Sequence, residues 1–375
     1  MRNVTANSFE VRVEEWNYLD GNHSGEKLSY LVMEGSIPHA PSNYCKGNAA
    51  MLQNGVNIFV RDNCDFQLSL DFEESSSMQP GQGLLVSRSW TSVDDCGNQM
   101  AVSRYDTCAI AAVRIKALLH GALIGNNAGN FLMRDDLRKN GLLPTTEPYT
   151  NLSGFQHKGS GGGETVDPAV FSVTGNNAIV DWVFVELRDP GNGKTILATQ
   201  SALLQRDGDV VSIDGDSVLY FPTLGERNYY VVLRHRNHLG VMTDSVRYLT
   251  SENAPLVDFT DMTVQIEGGN TGARLLNGKR ALWSGDLSGD RKVIYQGPSN
   301  DVFNLFSRVL ADQDNTGFLA NFIEIAYDRH DLNMDGRVIY QGPNNDRSYM
   351  LFHTILSHPD NTANLANFIV SEKLP

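Results

Sequence analysis

The sequence Asp286-Leu-Ser-Gly-Asp-Arg-Lys-Val-Ile-Tyr-Gln-Gly-Pro-Ser-Asn-Asp301 returns with few changes as Asp331-Leu-Asn-Met-Asp-Gly-Arg-Val-Ile-Tyr-Gln-Gly-Pro-Asn-Asn-Asp346. Each copy is followed by an apolar run and then by a second shared phrase, Asn315-Thr-Gly-Phe-Leu-Ala-Asn-Phe-Ile323 and Asn361-Thr-Ala-Asn-Leu-Ala-Asn-Phe-Ile369. The period is 45 residues at the first phrase and 46 at the second. A duplication of this length predicts two copies of one structural unit.

The second copy has the ligand pattern of a calcium loop. Asp331, Asn333 and Asp335 carry oxygen side chains at positions 1, 3 and 5, Gly336 stands at position 6, and the carbonyl of Arg337 is available at position 7. Calcium takes about six to eight hard oxygen ligands, which a tightly bent loop can converge on one ion. The pattern therefore predicts a calcium site.

The first copy offers a similar set of ligands. Asp286, Ser288 and Asp290 provide side-chain oxygens, and Lys292 provides a carbonyl. Arg291 replaces the glycine at position 6, so this loop must bend with a side chain present. We expect the first copy to bind calcium more weakly than the second.

The closing ligand of each loop is displaced. A 12-residue EF-hand loop would end with a carboxylate where this chain has Gly297 and Gly342, and the next carboxylates are Asp301 and Asp346. We interpret the extra residues as an insertion and predict a helix after each closing aspartate. The alternative is an aspartate-rich turn without an ion, in which the neighbouring carboxylates would repel one another.

The duplicated loop, followed each time by one helix, resembles a dockerin, a calcium-dependent docking module of secreted polysaccharide-degrading assemblies. The resemblance covers residues 284–375 and implies two Ca²⁺ ions and a protein partner. The chain differs from dockerins in its longer loops. It also has Tyr295-Gln296 and Tyr340-Gln341 where the family commonly carries a Ser-Thr pair that contacts the partner.

The composition of the 375-residue chain favours a β-rich protein. Its net charge of −14 and pI near 5.0 argue against a nucleic-acid surface, and no apolar run is long enough to span a membrane. Thirty-four glycines, with many Asn and Asp residues, indicate numerous turns. The expected fold class is mainly β, with tandem immunoglobulin-like β-sandwiches followed by a small α-helical EF-hand-like module. The expected domains are 1–36, 37–110, 111–252, a linker at 253–283, and 284–375.

Residues 1–36 alternate in polarity like strands. The phrase from Asn3 to Trp16, followed by Ser29-Tyr-Leu-Val-Met33, resembles the second half of an H-type lectin domain, a β-sandwich that binds N-acetylgalactosamine-type sugars. The resemblance implies a glycan ligand; the alternative is a strand pair that completes a neighbouring sheet. The polar N-terminal stretch lacks the pattern of a signal peptide. We therefore expect this chain to be part of a longer protein if it is extracellular.

Four cysteines lie between positions 45 and 108, which favours two disulfides in an oxidising compartment over buried free thiols. Sequence alone permits three pairings. Asp62-Asn63-Cys64 and the run from Arg88 to Asn98 resemble the hyalin-repeat type of immunoglobulin-like domain, found in secreted bacterial surface proteins. That resemblance implies a Cys64–Cys96 disulfide, which leaves Cys45 and Cys108 to pair.

Residues 111–252 read as a further β-sandwich. Strands are predicted at 113–122, 178–188 and 229–238, and one short helix between Met133 and Pro144, with Gly141 at its C-terminal end. Phrases of this region resemble a module found near the C-termini of large secreted bacterial proteins, to which we assign no activity.

Other candidate sites have plainer explanations. His235 and His238 lie three apart on a predicted strand and should point to opposite faces, so a shared metal is disfavoured. The aspartates at 207, 209, 214 and 216 fit hairpin turns better than a calcium or catalytic site. The chain contains no serine nucleophile elbow, phosphate-binding loop or HExxH motif.

These patterns predict a non-enzymatic secreted or cell-surface protein whose C-terminal module binds calcium for structure or assembly. One alternative is a carbohydrate-binding adhesin that uses the N-terminal lectin-like strands, with exposed Trp16 and Tyr18. A remote alternative is a polysaccharide-degrading enzyme with its acid and base among Asp181, Asp207 and Asp209. We expect no nucleic-acid partner.

Overall fold

The computed structural model describes residues 31–36, 57–62, 71–79, 83–93, 99–123, 131–159 and 161–375. The lectin-like residues before Leu31, with Trp16 and Tyr18, lie outside this part, so the glycan-binding hypothesis stays a prediction. Contacts divide the chain into two compact units, one of residues 1–75 and 87–105 and one of residues 76–86 and 106–375. The described residues are mainly β, and none of their helices is long and apolar enough to cross a membrane.

The strands of the described part range from two residues to eleven. They are β1 (Leu31–Ser36), β2 (Asn57–Asp62), β3 (Asp71–Gln79), β4 (Gly83–Val93), β5 (Gln99–Cys108), β6 (Ile110–Lys116), β7 (Ile179–Arg188), β8 (Ile196–Gln205), β9 (Asp209–Val211), β10 (Leu219–Gly225), β11 (Arg227–Arg234), β12 (Val241–Met242), β13 (Arg247–Leu249), β14 (Leu256–Asp258), β15 (Arg274–Leu276), β16 (Lys279–Ala281), β17 (Lys292–Ile294), β18 (Ile323–Ile325), β19 (Arg337–Ile339) and β20 (Ile369–Ser371). The α-helices are α1 (Asp136–Lys139), α2 (Asp301–Leu310) and α3 (Asp346–Tyr349), and α3 continues as a π-helical turn over Met350–Ile355.

A nine-stranded sheet forms the centre of the larger unit. Its main path is β10-β6-β9-β8-β7-β11-β12, with β13 added beside β11 and β14 beside β6. All of its pairs are antiparallel except β14 with β6. Every residue of β7 is buried, which explains why its sequence is a nearly continuous apolar run. The second sandwich expected over 111–252 stays a prediction.

The smaller unit contains a β1–β2 pair, and a three-stranded sheet has the order β3-β4-β5. On β4 the buried positions alternate, so that Arg88, Trp90 and Ser92 share one face. Arg88 pairs with Glu74, and the ring of Trp90 lies 5.3 Å from that of Phe72. Whether these sheets form an immunoglobulin-like sandwich stays a prediction.

Only one of the four cysteines lies in the described part of the chain. Cys108 ends β5 and is buried. Cys45, Cys64 and Cys96 fall outside that part, so the two disulfides and their pairing stay predictions.

Residues 253–283, expected as a linker, are packed into the larger unit. They contribute β14 to the nine-stranded sheet and form the β15–β16 hairpin. Val257, Phe259 and Trp283 are each buried. The strands here have three residues each, too few to show an alternating pattern in the sequence.

The two sequence repeats exchange strands. Strand β17, in the first copy, pairs with β20, which begins at Ile369, the last residue of the second shared phrase in the second copy. Strand β19, in the second copy, pairs with β18, which begins at Ile323, the last residue of the same phrase in the first copy. Matched apolar residues of both copies enter one core, namely Leu287 with Leu332, Val293 with Val338 and Leu305 with Met350. The two copies thus contribute matched residues to one core.

Candidate metal centre

The closing aspartates, Asp301 and Asp346, accept hydrogen bonds from the loops that precede them. The carboxylate of Asp301 accepts hydrogen bonds from the backbone N–H groups of Leu287 at 3.0 Å, Ser288 at 3.1 Å and Ile294 at 2.8 Å. Asp346 accepts the equivalent bonds from Leu332 at 2.7 Å and Ile339 at 2.8 Å. Both aspartates begin a helix, as the sequence pattern predicts. The inserted residues therefore place each closing carboxylate within hydrogen-bonding distance of its own loop.

The aspartate at position 1 holds the turn of each loop. In the first copy Asp286 accepts the N–H groups of Gly289 at 2.7 Å and Arg291 at 3.0 Å. In the second copy Asp331 accepts those of Asp335 at 3.1 Å and Gly336 at 2.8 Å. Each carboxylate oxygen takes one N–H in these bonds and keeps a lone pair for a further ligand.

Positions 3, 5 and 7 follow the same plan. Ser288 accepts the N–H of Asp290, and Asp290 accepts that of Lys292. In the second copy Asn333 accepts the N–H of Asp335, and Asp335 accepts that of Arg337. The residues at position 7, Lys292 and Arg337, have cationic side chains without acceptor atoms, so only their carbonyls are candidate ligands.

The backbone bends agree between the copies despite different residues. At position 4, φ is +78° for Gly289 and +59° for Met334; at position 6 it is +68° for Arg291 and +83° for Gly336. An arginine thus adopts the left-handed conformation that glycine takes in the other copy, at a cost of about 1–2 kcal/mol. The loop makes the tight bend expected of it, with the side chain present.

Burial and mutual repulsion raise the pKa values of these carboxyl groups. In the first loop burial raises the pKa of Asp286 to about 6 and, with the charge of Asp286, that of Asp301 to about 7. In the second loop burial raises the pKa of Asp331 to about 7, and burial and the charge on Asp331 raise that of Asp346 well above its usual value. A divalent cation would replace protons on these groups and remove the repulsion.

The carboxylates within each loop do not converge on a single point. Among the described residues, neither loop has three acidic oxygens that all lie within 4.8 Å of one another. Hydrogen bonds from backbone N–H groups fix the positions of these carboxylates. The donor set of aspartates, one serine or asparagine and one carbonyl fits calcium, which prefers oxygen ligands in a flexible arrangement.

The helix caps are duplicated as well. Asn300 accepts the N–H of Phe303, and Asn345 accepts that of Ser348, each at the start of the helix that follows the loop. Their amide groups also donate to the carbonyls of Gly297 and Gly342. Each loop is therefore fixed to its helix at the closing aspartate.

The surroundings distinguish the two loops. Asp290 of the first is exposed, whereas the matching Asp335 of the second is only partly exposed. Arg134 donates to the carbonyl of Asn333, and Asn237 donates to that of Asp331. A cavity of about 350 Å³ opens beside the second loop. Its lining residues are Arg134, Asn333, Asp335, Asn344, Asn345, Ser348, Tyr349, Phe352 and His353. This cavity could not be inferred from the sequence, because Arg134 comes from a distant segment.

The expectation that His235 and His238 face opposite ways was wrong. Strand β11 ends at Arg234, and beyond it the two rings meet, with their Nδ1 atoms 3.0 Å apart. Nε2 of His238 accepts the N–H of Gly121, and Nε2 of His235 lies 3.0 Å from Asp181. Burial lowers the pKa of both histidines. Every ring nitrogen has a partner, which supports the structural role favoured from the sequence.

The acidic residues considered for hydrolysis have other partners. Asp181 is buried and contacts His235, Arg236 and Tyr327. Asp207 lies in the turn between β8 and β9, and Asp209 pairs with Lys116. These contacts explain the residues without catalysis, and the enzyme hypothesis gains no support from them.

Comparison with protein-family models, curated proteins and solved structures found no significant match to this chain. The resemblances to dockerins, H-type lectins and hyalin repeats therefore rest on the quoted residues alone.

Proposed function

We propose that residues 284–375 form a calcium-ordered module of a secreted or cell-surface protein, with a non-enzymatic role in structure or assembly. The observation that carries the proposal is the pair of loops, in each of which backbone N–H groups hold two buried aspartates, Asp286 with Asp301 and Asp331 with Asp346. Burial and neighbouring charge raise the pKa of these carboxyl groups. The arrangement is more favourable with a cation present than without one.

The strand exchange between the repeats supports a structural role for the ion. Each loop leads directly into a strand that pairs with the other half of the module, β17 with β20 and β19 with β18. An ion that orders either loop therefore also orders the contact between the repeats. Calcium at about 100 times its dissociation constant would add about 2.7 kcal/mol per site.

Exposed apolar side chains support the assembly role. Leu319 and Leu365 occupy the same position of the two repeats, and so do Ile323 and Ile369. All four are exposed, by 44–55%. We propose that a protein partner binds these exposed apolar residues.

Calorimetric titration of calcium into the full chain, stripped of metals, tests the calcium proposal. We expect two ions per chain in the wild type and one in Asp335→Ala or in Asp290→Ala. Asp214→Ala, which removes an exposed aspartate of the turn between β9 and β10, is the matched control and should keep both ions. A wild type that takes up no calcium would end the proposal.

A further inference from the structure

A second group of ligand-type side chains lies away from the repeats. Ligand atoms of Glu147, His157 and Glu164 all lie within 4.8 Å of one another. The two glutamates are neighbours across a short backbone pairing, in which the N–H of Glu147 donates to the carbonyl of Glu164 at 2.9 Å. His157 comes from the segment between them, and its ring packs edge-on against Phe184 at 5.0 Å.

The hydrogen bonds of the histidine leave one nitrogen aimed at a carboxylate. The hydroxyl of Thr199 is placed to donate to the carbonyl of Lys158 at 3.2 Å, and Nδ1 of His157, 3.4 Å from the same oxygen, is then placed to donate to it. A neutral ring then has a bare lone pair on Nε2. This buried atom has no hydrogen-bond partner and lies 3.5 Å from Oε1 of Glu147. A lone pair facing a carboxylate is repulsive unless a positive charge lies between them.

Backbone groups hold both glutamates in place. Glu147 is 2% exposed and accepts N–H groups from Tyr149 at 2.6 Å, Thr150 at 3.1 Å and Gly163 at 3.0 Å. The hydroxyl of Thr150, which is exposed, also donates to the carboxylate of Glu147.

Glu164 keeps room for a ligand. Its oxygens accept one N–H each, from Ser201 at 3.0 Å and Gly162 at 3.1 Å, so each retains a lone pair. The hydroxyl of Ser201 is fully buried and has no partner. Ser201, whose N–H group binds Glu164, thus also carries a buried hydroxyl without a hydrogen-bond partner.

The glycine-rich loop closes over the group because it lacks side chains. A Cβ at Gly162, where φ is +114°, would lie 3.0 Å from the ring of His157. A Cβ at Gly161 would lie 2.1 Å from the carbonyl of Thr199. Only glycines allow the loop to lie this close to the histidine and the residue that orients it.

We propose that Glu147, His157 and Glu164 bind a divalent transition-metal ion through Nε2 and the two carboxylates. One imidazole nitrogen with two carboxylates suits zinc, manganese or iron(II) better than calcium, which prefers oxygen ligands alone. The contact from Thr199 to Nδ1 orients the ring, as outer hydrogen bonds do in metal sites. This site is separate from the calcium loops and does not depend on them.

Zinc titrated into the full chain, stripped of metals and kept in millimolar calcium, tests the proposal. We expect one zinc ion per chain in the wild type, lost in His157→Gln and retained in His353→Gln, which removes an exposed imidazole instead. Thr199→Val removes the orienting hydroxyl and should weaken zinc binding about 10- to 100-fold. No zinc uptake by the wild type, or unchanged uptake by His157→Gln, would overturn the proposal.

A second measurement needs no variant. In a ¹H–¹⁵N spectrum of the histidine rings, zinc should shift the Nε2 signal of His157. If Nε2 instead carries a proton that pairs it with Glu147, that signal will not respond to zinc, and this result also overturns the proposal.

Discussion

The two calcium-type loops share several internal hydrogen bonds but have different neighbours. In the first, Asp286 is 8% exposed and Asp290 faces solvent; in the second, Asp331 is fully buried. The second loop is also held by Arg134 and Asn237, from the segment that precedes the repeats. The comparison teaches that a repeated sequence reproduces local hydrogen bonds, while the energy of a site also depends on what packs against it.

Calcium removal should give the largest effect. If both sites are filled to about 100 times their dissociation constants, chelation costs about 5 kcal/mol in all and lowers Tm by about 10 °C. The exposed first loop should open before the second. Scanning calorimetry with and without EGTA measures the first effect, and limited trypsin digestion, with cleavage at Arg291 or Lys292 before Arg337, measures the second. Identical melting curves, or cleavage at Arg337 first, would contradict the comparison.

Gly336→Arg should give the next largest effect, because the second loop is packed at position 6. A Cβ there would lie 2.9 Å from Leu142, and φ is +83°. We expect a loss of about 2–3 kcal/mol in urea unfolding. Gly278→Arg is the control, since its φ is +82° but nothing lies within 4 Å. An equal loss in both variants would mean that backbone strain alone, and not packing, is responsible.

The pH dependence of the calcium-free protein should be smaller. The folded-state pKa values of about 7 for Asp301 and Asp331 lie above the unfolded value of 3.8. The folded state therefore binds more protons, and in EGTA the free energy of unfolding should fall as pH rises from 5 to 8.

The same protons compete with calcium, so calcium affinity should rise over that pH range. The slope of stability should be reduced in Asp331→Asn and in Asp286→Asn, and more in the former because its side chain is fully buried. Chemical denaturation at several pH values, in EGTA and in calcium, measures the slope of stability and the change in calcium affinity. A flat profile in EGTA would contradict these pKa shifts.

Arg291→Gly should give the smallest change, a gain of about 0.5 kcal/mol, by relieving the left-handed conformation. The variant also loses a weak ion pair with Glu372, at 3.5 Å and 44% exposed on the arginine side. Arg291→Ala loses the same pair but keeps the strain, so it serves as control. Equal stability of the two variants in denaturant titrations would show that position 6 is not strained.

Much of the C-terminal module was predictable because its information is local. Asp301 and Asp346 follow a Pro-x-Asn sequence that caps a helix, and both begin one in the structure. Arg291 takes the bend that Gly336 takes because the same hydrogen bonds surround it. Strand β7 was also predictable, since a long buried strand leaves a long apolar run.

Contacts between distant segments were not predictable in this way. His235 and His238 meet because β11 ends at Arg234, which the alternating pattern did not reveal. Residues 253–283 looked like a linker because their strands are too short to show a period. Glu147, His157 and Glu164 lie on irregular segments, and no spacing rule relates them.

The sequence by itself determined the duplication, the ligand types of both loops and the caps of their helices, because hydrogen bonds between near neighbours depend on local residue order. The tertiary structure alone decided that β17 pairs with β20 and β18 with β19, that the second loop is buried, and that a histidine nitrogen faces two glutamates. Those features arise from packing between segments far apart in the chain, where no periodic pattern records which surfaces meet.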